Sequence, residues 1–451
     1  IQKMRKKYEE QMKFAYLIPN NKLGKELEAI SQVITENKDI LSLVHQDITA
    51  YKDNSTGRLG LNSNQVLRCA VLKQFQGLSY DELEFYLSDS SCFRAFARIE
   101  NNQFPKSSAL QENIKSISSN TWERINKALV KYSLKSNIEK GNTVRTDATT
   151  VESDIHHPTD STLLQDGIRI MTRSLARGKA LDTAIPFAFS NHNRAAKKKV
   201  LTIINKPKKR NQAYKSLLKL ANQVVRYAEK AIPALSHYQG LNAENTVVAR
   251  MLADKLDQDK AIMLRVIDQT RRRIMHGESV PANEKVVSFF ECHTDIISKS
   301  NRETQFGHKV FLTTGKSGLV LDCLVERGNP KDSSKFEELL HRHKEILGKA
   351  PRQMAADGGF ASKENLRKAK EEGVRDAVFA KKRGLKVLDM AKSDWVYKKL
   401  RNFRAGIEGL ISVLKRAFGL DKCTWKDWEG FKQYVWSCIV TFNLQVIARS
   451  A

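Results

Sequence analysis

Apolar positions recur at helical spacing through most of the chain and give way to strand-like runs at only a few places. Between residues 60 and 132, Asn62 or Ser63 is placed to cap a helix carrying Val66, Leu67, Ala70, Val71, Leu72 and Phe75. Gly77 ends that helix. Ser79 with Glu82 three residues on forms a capping box that opens a second helix, with Leu83, Phe85, Tyr86 and Leu87 on its apolar side. A third short segment, CFRAFARI, follows. Helix, short glycine turn, helix is the geometry of a DNA-reading helix-turn-helix, and equally that of a plain helical bundle. Residues 1–58 read as a polar helical arm with a basic start (KMRKKYEEQMKFAY) and a turn-rich end (KDNSTGR).

The period changes over residues 140–155, where Val144, Thr146, Thr149, Thr150 and Val151 predict a strand. Asp160 or Ser161 then caps a helix reaching about Arg177. Further on, Leu217, Leu218, Ala221, Val224, Val225 and Ala228 share one helical stripe, and Val248, Met251, Leu252, Ile262, Met263 and Val266 share another. Pro233, Gly240 and Asn242 interrupt the chain between them, which predicts two long antiparallel helices. KVFLTT and LVLDCLVE flank GKSG and predict a hairpin. An amphipathic helix (SSKFEELLHRHKEILG), a buried strand (QMAAD), a helix capped by Ser362 and a last strand (VRDAVFA) come next. KKLRNFRAGIEGLISVLKRAF is the main helix of the C-terminal part. Strands alternating with helices make a mixed sheet flanked by helices, an α/β domain. The expected organisation is an arm (1–58), an all-α domain (59–138), an α/β core in two pieces (139–177 and 287–420), a long helical insertion (178–286) and a C-terminal helical segment (421–451).

Charge adds a partner to this picture. Lys and Arg number 77 against 50 Asp and Glu, a formal charge of +27 over 451 residues. That excess favours a polyanion, with nucleic acid first and an anionic membrane surface second. No apolar run reaches the roughly 20 residues of a membrane span. The six cysteines form no C-x-x-C pair and fit reduced, mostly buried thiols of a cytoplasmic protein.

Three acids stand out by context. Asp147 lies inside a β-branched strand, where a charge is costly unless it is paired or bound to metal. Strand alternation puts Glu152 on the opposite face from it. Asp357 ends an apolar strand, before Gly358 and Gly359, and open sheets bind ligands beyond the carboxyl ends of their strands. Glu408 lies mid-helix, with Arg404 and Lys415 at i−4 and i+7, so that two bases flank the acid on one face. Hard divalent cations take oxygen ligands. Two such ions, about 4 Å apart, activate the attacking oxygen and stabilise the leaving one in an in-line displacement.

Three segments carry a resemblance: RTDATTVESDIHHPTDSTLL around Asp147, MAADGGFASKENL around Asp357, and FRAGIEGLISVLKRAFGL, in which Arg404, Glu408 and Lys415 match a Y-x2-R-x3-E-x6-K signature. The Tyr position holds Arg401. The chain resembles the DDE-type insertion-sequence transposases over about residues 60–449, interrupted by the helical insertion. The resemblance implies an RNase H-like core, an N-terminal DNA-binding domain, and Asp147, Asp357 and Glu408 as catalytic acids that hold Mg²⁺ or Mn²⁺, two ions per site. It implies hydrolysis at a transposon end that frees a 3′-hydroxyl, and attack of that hydroxyl on target DNA, with no protein nucleophile. The implied partners are double-stranded DNA, both the terminal inverted repeats and the target, and a second copy of the chain when DNA is bound. The implied location is the cytoplasm, with the nucleoid. An RNase H-like nuclease without strand transfer and a catalytically retired transposase kept as a DNA binder are the alternatives.

Several residues are then expected at DNA. Arg404 and Lys415 would position phosphates, and Arg401 lies one helical turn before Arg404. His156 and His157, just past Asp147, are candidates for DNA contact or for a structural loop, and they lack the partners of a zinc site. From Arg194 to Arg210 the chain has eight basic residues and no acid. Lys197, Lys198, Lys199, Lys208, Lys209 and Arg210 are therefore expected on the DNA backbone, with strong salt dependence.

Overall fold

The computed structural model describes residues 21–50, 60–100, 102–240, 242–298 and 303–450. The basic start and the KDNSTGR turn lie outside the described residues. The chain forms two compact units, one of residues 1–154 with 307–451 and one of residues 155–306.

The first unit opens with α1 (Lys22–Glu36), α2 (Lys38–Thr49), α3 (Ser63–Gln76), α4 (Tyr80–Asp89), α5 (Ser91–Phe96), α6 (Ser107–Lys115) and α7 (Ser119–Lys135). Asn62 caps α3 by accepting the Gln65 N–H at 2.9 Å, and Gln65 returns the bond to the Asn62 N–H at 3.0 Å. Gly77, at φ 65°, takes the left-handed turn that stops α3 and starts α4 two residues later. Ser79 and Glu82 close the second capping box. Nearly all of α3 is buried. Its Arg68 guanidinium is fully enclosed and donates to Asn64, Ser31, Thr35 and the Phe96 carbonyl. By contrast α4 keeps Phe85 and Tyr86 exposed. β1 (Thr143–Ser153) follows.

The second unit holds α8 (Asp160–Leu181), α9 (Asn193–Asn205), α10 (Arg210–Ser236), α11 (Ala243–Thr270) and the short β2 (Asp295–Ile297). Thr159, rather than Asp160 or Ser161, caps α8. Four helices, not two, bring their apolar stripes into one core that includes Leu164, Met171, Leu217, Val224, Leu256 and Met263. Pro233 does not break the chain as expected. It sits in the last turn of α10, which runs on to Ser236, and its carbonyl accepts the His237 N–H at 3.1 Å. Because α8 packs on α9, α10 and α11, this unit begins at 155 and not at 178.

Back in the first unit come β3 (Gln305–Thr314), β4 (Val320–Glu326), α12 (Asp332–Leu347), β5 (Gln353–Ala356), α13 (Lys363–Glu371), β6 (Asp376–Phe379), α14 (Val387–Met390), α15 (Asp394–Phe418), β7 (Lys422–Cys423) and α16 (Asp427–Ser450). The sheet of this unit runs β4-β3-β1-β5-β6, a mixed α/β arrangement. β3 is antiparallel to β1 and β4, while β5 is parallel to β1 and to β6. α16 is buried around most of its circumference and packs on α1, α3, α7 and α15. Inside it, Asn443 accepts the Val320 N–H at 2.9 Å and donates to the Val320 carbonyl and to Asn126, both at 2.7 Å, so that a helix amide completes the start of β4.

Replacing Asn443 by Leu strands the Val320 N–H away from water and leaves the Val320 carbonyl only the 3.3 Å bond from Asn126. The expected loss is about 2–3 kcal/mol, read as a lower urea midpoint with an unchanged slope.

Candidate active site

The parallel ladder joins Thr143 to Gln353 and Thr146 to Ala356, so the next residue along each strand is Asp147 on one and Asp357 on the other. The register therefore sets the two acids side by side at one level of the sheet. β1 is paired on both sides here, since Asp147 also faces Leu312 of β3. β5 stops at Ala356. Asp357 turns the chain by accepting the Gly359 N–H at 3.4 Å, a long bond that leaves most of the carboxylate free. The two glycines have steric reasons to follow. A Cβ on Gly358 would meet the Lys381 side chain at 2.8 Å, and one on Gly359 would collide with the Asp332 carboxylate.

The third acid comes from α15. Arg404 reaches across to the strands, with one guanidinium nitrogen 2.7 Å from Asp147 and 3.0 Å from Asp357. Its other terminal nitrogen is 2.8 Å from Glu408, one turn along the helix. One cation thus gathers all three carboxylates. Side-chain exposure rises from 13% at Asp147 to 37% at Asp357 and 65% at Glu408, so the cluster opens outward from the sheet along the helix.

Arg145, two residues before Asp147, locks this geometry. Its guanidinium donates to the Phe403 carbonyl at 2.7 Å and to Thr314 at 3.1 Å, and lies over the Phe403 ring. It crosses α15 at Gly406, where any Cβ would collide with it. Arg145 and Gly406 are the positioning residues that sequence reasoning missed. The glycine inside a strong helical pattern was the available signal, because it marks a close approach.

Electrostatics follow from burial. Desolvation pushes the Asp147 carboxyl up to about 6, against the pull of Arg404 and of the Ala148 N–H, with Asp357 adding repulsion. For Arg404, burial lowers the pKa, but the three carboxylates outweigh it and the net shift is upward. Its Nε is buried without a partner. Among the described residues no group of three His, Cys, Asp or Glu stands ready to hold a metal ion, since the guanidinium lies between the acids.

The other expected residues are placed differently. Lys415 turns away from the acids and pairs with Asp421 at 3.1 Å, beyond the helix end. Eleven residues of helix separate it from Arg404, about 16 Å along the axis. Arg401 is exposed. In the second unit His156 pairs with Asp166 at 3.2 Å and His157 meets the Phe306 ring edge-on. Lys197, Lys198, Lys208, Lys209 and Arg210 are exposed, Lys199 partly so, on α9, the short turn that follows it and the first residue of α10. Leu201 and Ile204 are exposed among them.

Residues 259–444 match the transposase DDE domain family, and residues 13–116 match a transposase domain family, DUF772. These matches support a DDE-type insertion-sequence transposase. No curated protein and no solved structure matches the chain. The DDE match implies an enzyme that cleaves or transfers DNA, and such domains are generally dependent on a divalent metal. It takes in Asp357, Arg404, Glu408 and Lys415 but starts after Asp147, which joins them through the β1–β5 ladder. No described helix is long and apolar enough to cross a membrane.

Two outcomes test the site's physics. The folded Asp147 binds its proton more tightly than an open chain whose ordinary value is 3.8, so this contribution to stability is whole below about pH 4 and is lost as pH rises through about 6. Without divalent cation, Asp147→Asn should therefore gain on the order of 2 kcal/mol at pH 7 and flatten the pH dependence between these limits in chemical denaturation. Gly406→Val should displace the Arg145 guanidinium from the Phe403 carbonyl, a cost of about 1 kcal/mol partly offset by the better helix propensity of Val, seen as a small fall in melting temperature.

Proposed function

We propose that the chain binds the ends of its own insertion element and cleaves and joins DNA through Asp147, Asp357 and Glu408. The observation that carries this reading is the convergence of three acids, from a strand, a strand end and a helix, on one guanidinium. The core is of the RNase H type, formed by the parts of 139–177 and 287–420 that lie in the first unit, 139–154 and 307–420. A parallel β1-β5-β6 set beside the antiparallel β3-β4 hairpin supports that reading. Residues 59–138 serve as the DNA-binding domain, 155–306 as the insertion and 421–451 as a supporting helical segment.

The donors are carboxylate oxygens with no His or Cys among them, which suits Mg²⁺ or Mn²⁺. They already surround a cation, so the charge balance of the site asks for one. Divalent ions held there would activate the attacking oxygen and stabilise the leaving one. With its acids so occupied, Arg404 is freed for the phosphate that arrives with DNA, where its fork favours two parallel bonds. Water attacks the phosphodiester at the element's end, breaking the bond to the 3′ oxygen and leaving a 3′-hydroxyl. That hydroxyl then attacks a target phosphodiester, whose own 3′ oxygen leaves. Both steps are displacements at phosphorus, so no Ser or Tyr nucleophile is called for. The basic stretch from Lys197 to Arg210 contacts the DNA backbone, and His156, His157, Arg401 and Lys415 are further DNA contacts, each within its own unit. Two ends must be held at once, so the DNA-bound form is a dimer.

The test is a labelled duplex carrying the element's end, incubated with Mg²⁺ and the wild type or Asp147→Ala, Asp357→Ala and Glu408→Ala. The wild type should nick at the end and join the product to target DNA, while each variant binds without cutting. Nicking with no joining of a precut end would make it a nuclease. Tight binding with no cutting by the wild type would make it a retired binder. Arg404→Ala should bind Mg²⁺ more tightly than the wild type in calorimetry without DNA, and cleave more slowly.

A further inference from the structure

A second concavity in the first unit lies between the α3–α4 turn and the α15–α16 connection, far in sequence from the acids on β1 and β5. Its volume is about 570 Å³, the size of a pocket for a small ligand. Lys73, Lys115 and Lys426 line it, against a single carboxylate, Glu82. Glu82 is already engaged by the Ser79 N–H at 2.7 Å. Lys73 is only 6% exposed. Among the described residues no carboxylate lies within ion-pair distance of its ammonium, which sits 4.8 Å from the centre of the Tyr80 ring.

Two further wall residues are unsatisfied. The Tyr80 hydroxyl and the Trp425 indole N–H are both buried without a hydrogen-bond partner. Lys115 lies 5.7 Å from the Trp425 ring centre, which brings a second ammonium to the same wall. Buried polar groups are nearly always paired, and an unneutralised buried ammonium is costlier still. Every unsatisfied group here is a cation or carries an N–H or O–H. The ammonium and the indole N–H are relieved only by an acceptor, the Tyr80 hydroxyl can donate to the same one, and a negatively charged acceptor also neutralises Lys73.

We propose that this cavity is a binding site for a phosphate group, held by the ammonium groups of Lys73, Lys115 and Lys426, with Tyr80 and Trp425 as its wall. The phosphate belongs either to a DNA backbone or to a free nucleotide, since both present the same oxygens. The flat apolar faces of Trp425 and Phe418 would cover what the phosphate carries.

The full chain is titrated with inorganic phosphate, with dAMP and with a short duplex of arbitrary sequence, following Trp fluorescence against a Trp425→Phe control. Lys73→Met is compared with wild type. Because Lys73 is buried, the double variant Lys115→Ala, Lys426→Ala is measured beside it, and circular dichroism checks the fold of each. Binding of phosphate or dAMP that weakens at least ~10-fold in either folded variant identifies a free phosphoryl ligand. A response to duplex alone, weakened in the same way, assigns the phosphate to DNA. Equal responses of wild type and folded variants to all three probes, or no response at Trp425, would overturn the proposal and leave the cavity to water.

Discussion

The parallel pairing of β1 with β5 is the constraint on which the rest of the site depends. A ladder slipped by one residue would turn one of the two acids to the opposite face of the sheet, and Arg404 would then reach only one of them. The pairing is fixed by burial. Val144, Thr146, Met354 and Ala356 are enclosed, so a slip would expose them. Around this ladder the hairpin of β3 and β4 covers one edge and α15 lies across the strands, pinned by Arg145.

Arg404 answers an electrostatic problem that the ladder creates. Two carboxylates held side by side, one of them mostly buried, repel each other and lose water. A planar guanidinium with two terminal nitrogens can serve both and still keep Glu408. Lysine, a single point charge on a flexible stem, could not span them in this way. The same arrangement explains why burial raises Asp147 while the acids raise Arg404.

Much of the local structure was legible in the sequence because it is governed by local chemistry. The capping boxes at Asn62 and Ser79, the GKSG hairpin and the strand around Asp147 depend on neighbours a few residues apart. The three acids could be singled out because each breaks the pattern of its surroundings. What escaped depends on distant parts of the chain. Arg145 crossing α15 at Gly406 pairs residues about as far apart as the two ends of the sheet-forming sequence. Lys415 lies on the predicted helical face, yet Asp421 draws it away, because a shared face does not mean a shared site over three turns. Pro233 marks the end of α10 only approximately, because the helix continues through it to Ser236. α9 was missed since its stripe of Ala196, Val200 and Ile203 is short and thick with lysine.

The second unit leaves and re-enters the first beside a pair of ladder partners, Glu152 on β1 and Gly307 on β3. A Cβ on Gly307 would strike the Val151 carbonyl, so the strands are pressed together at that point. Topologically the whole unit is an overgrown hairpin loop. The β1–β5 ladder that aligns Asp147 with Asp357 is made by segments outside that loop. The length and content of the loop are therefore independent, in the chain's connectivity, of the register that holds the two acids level.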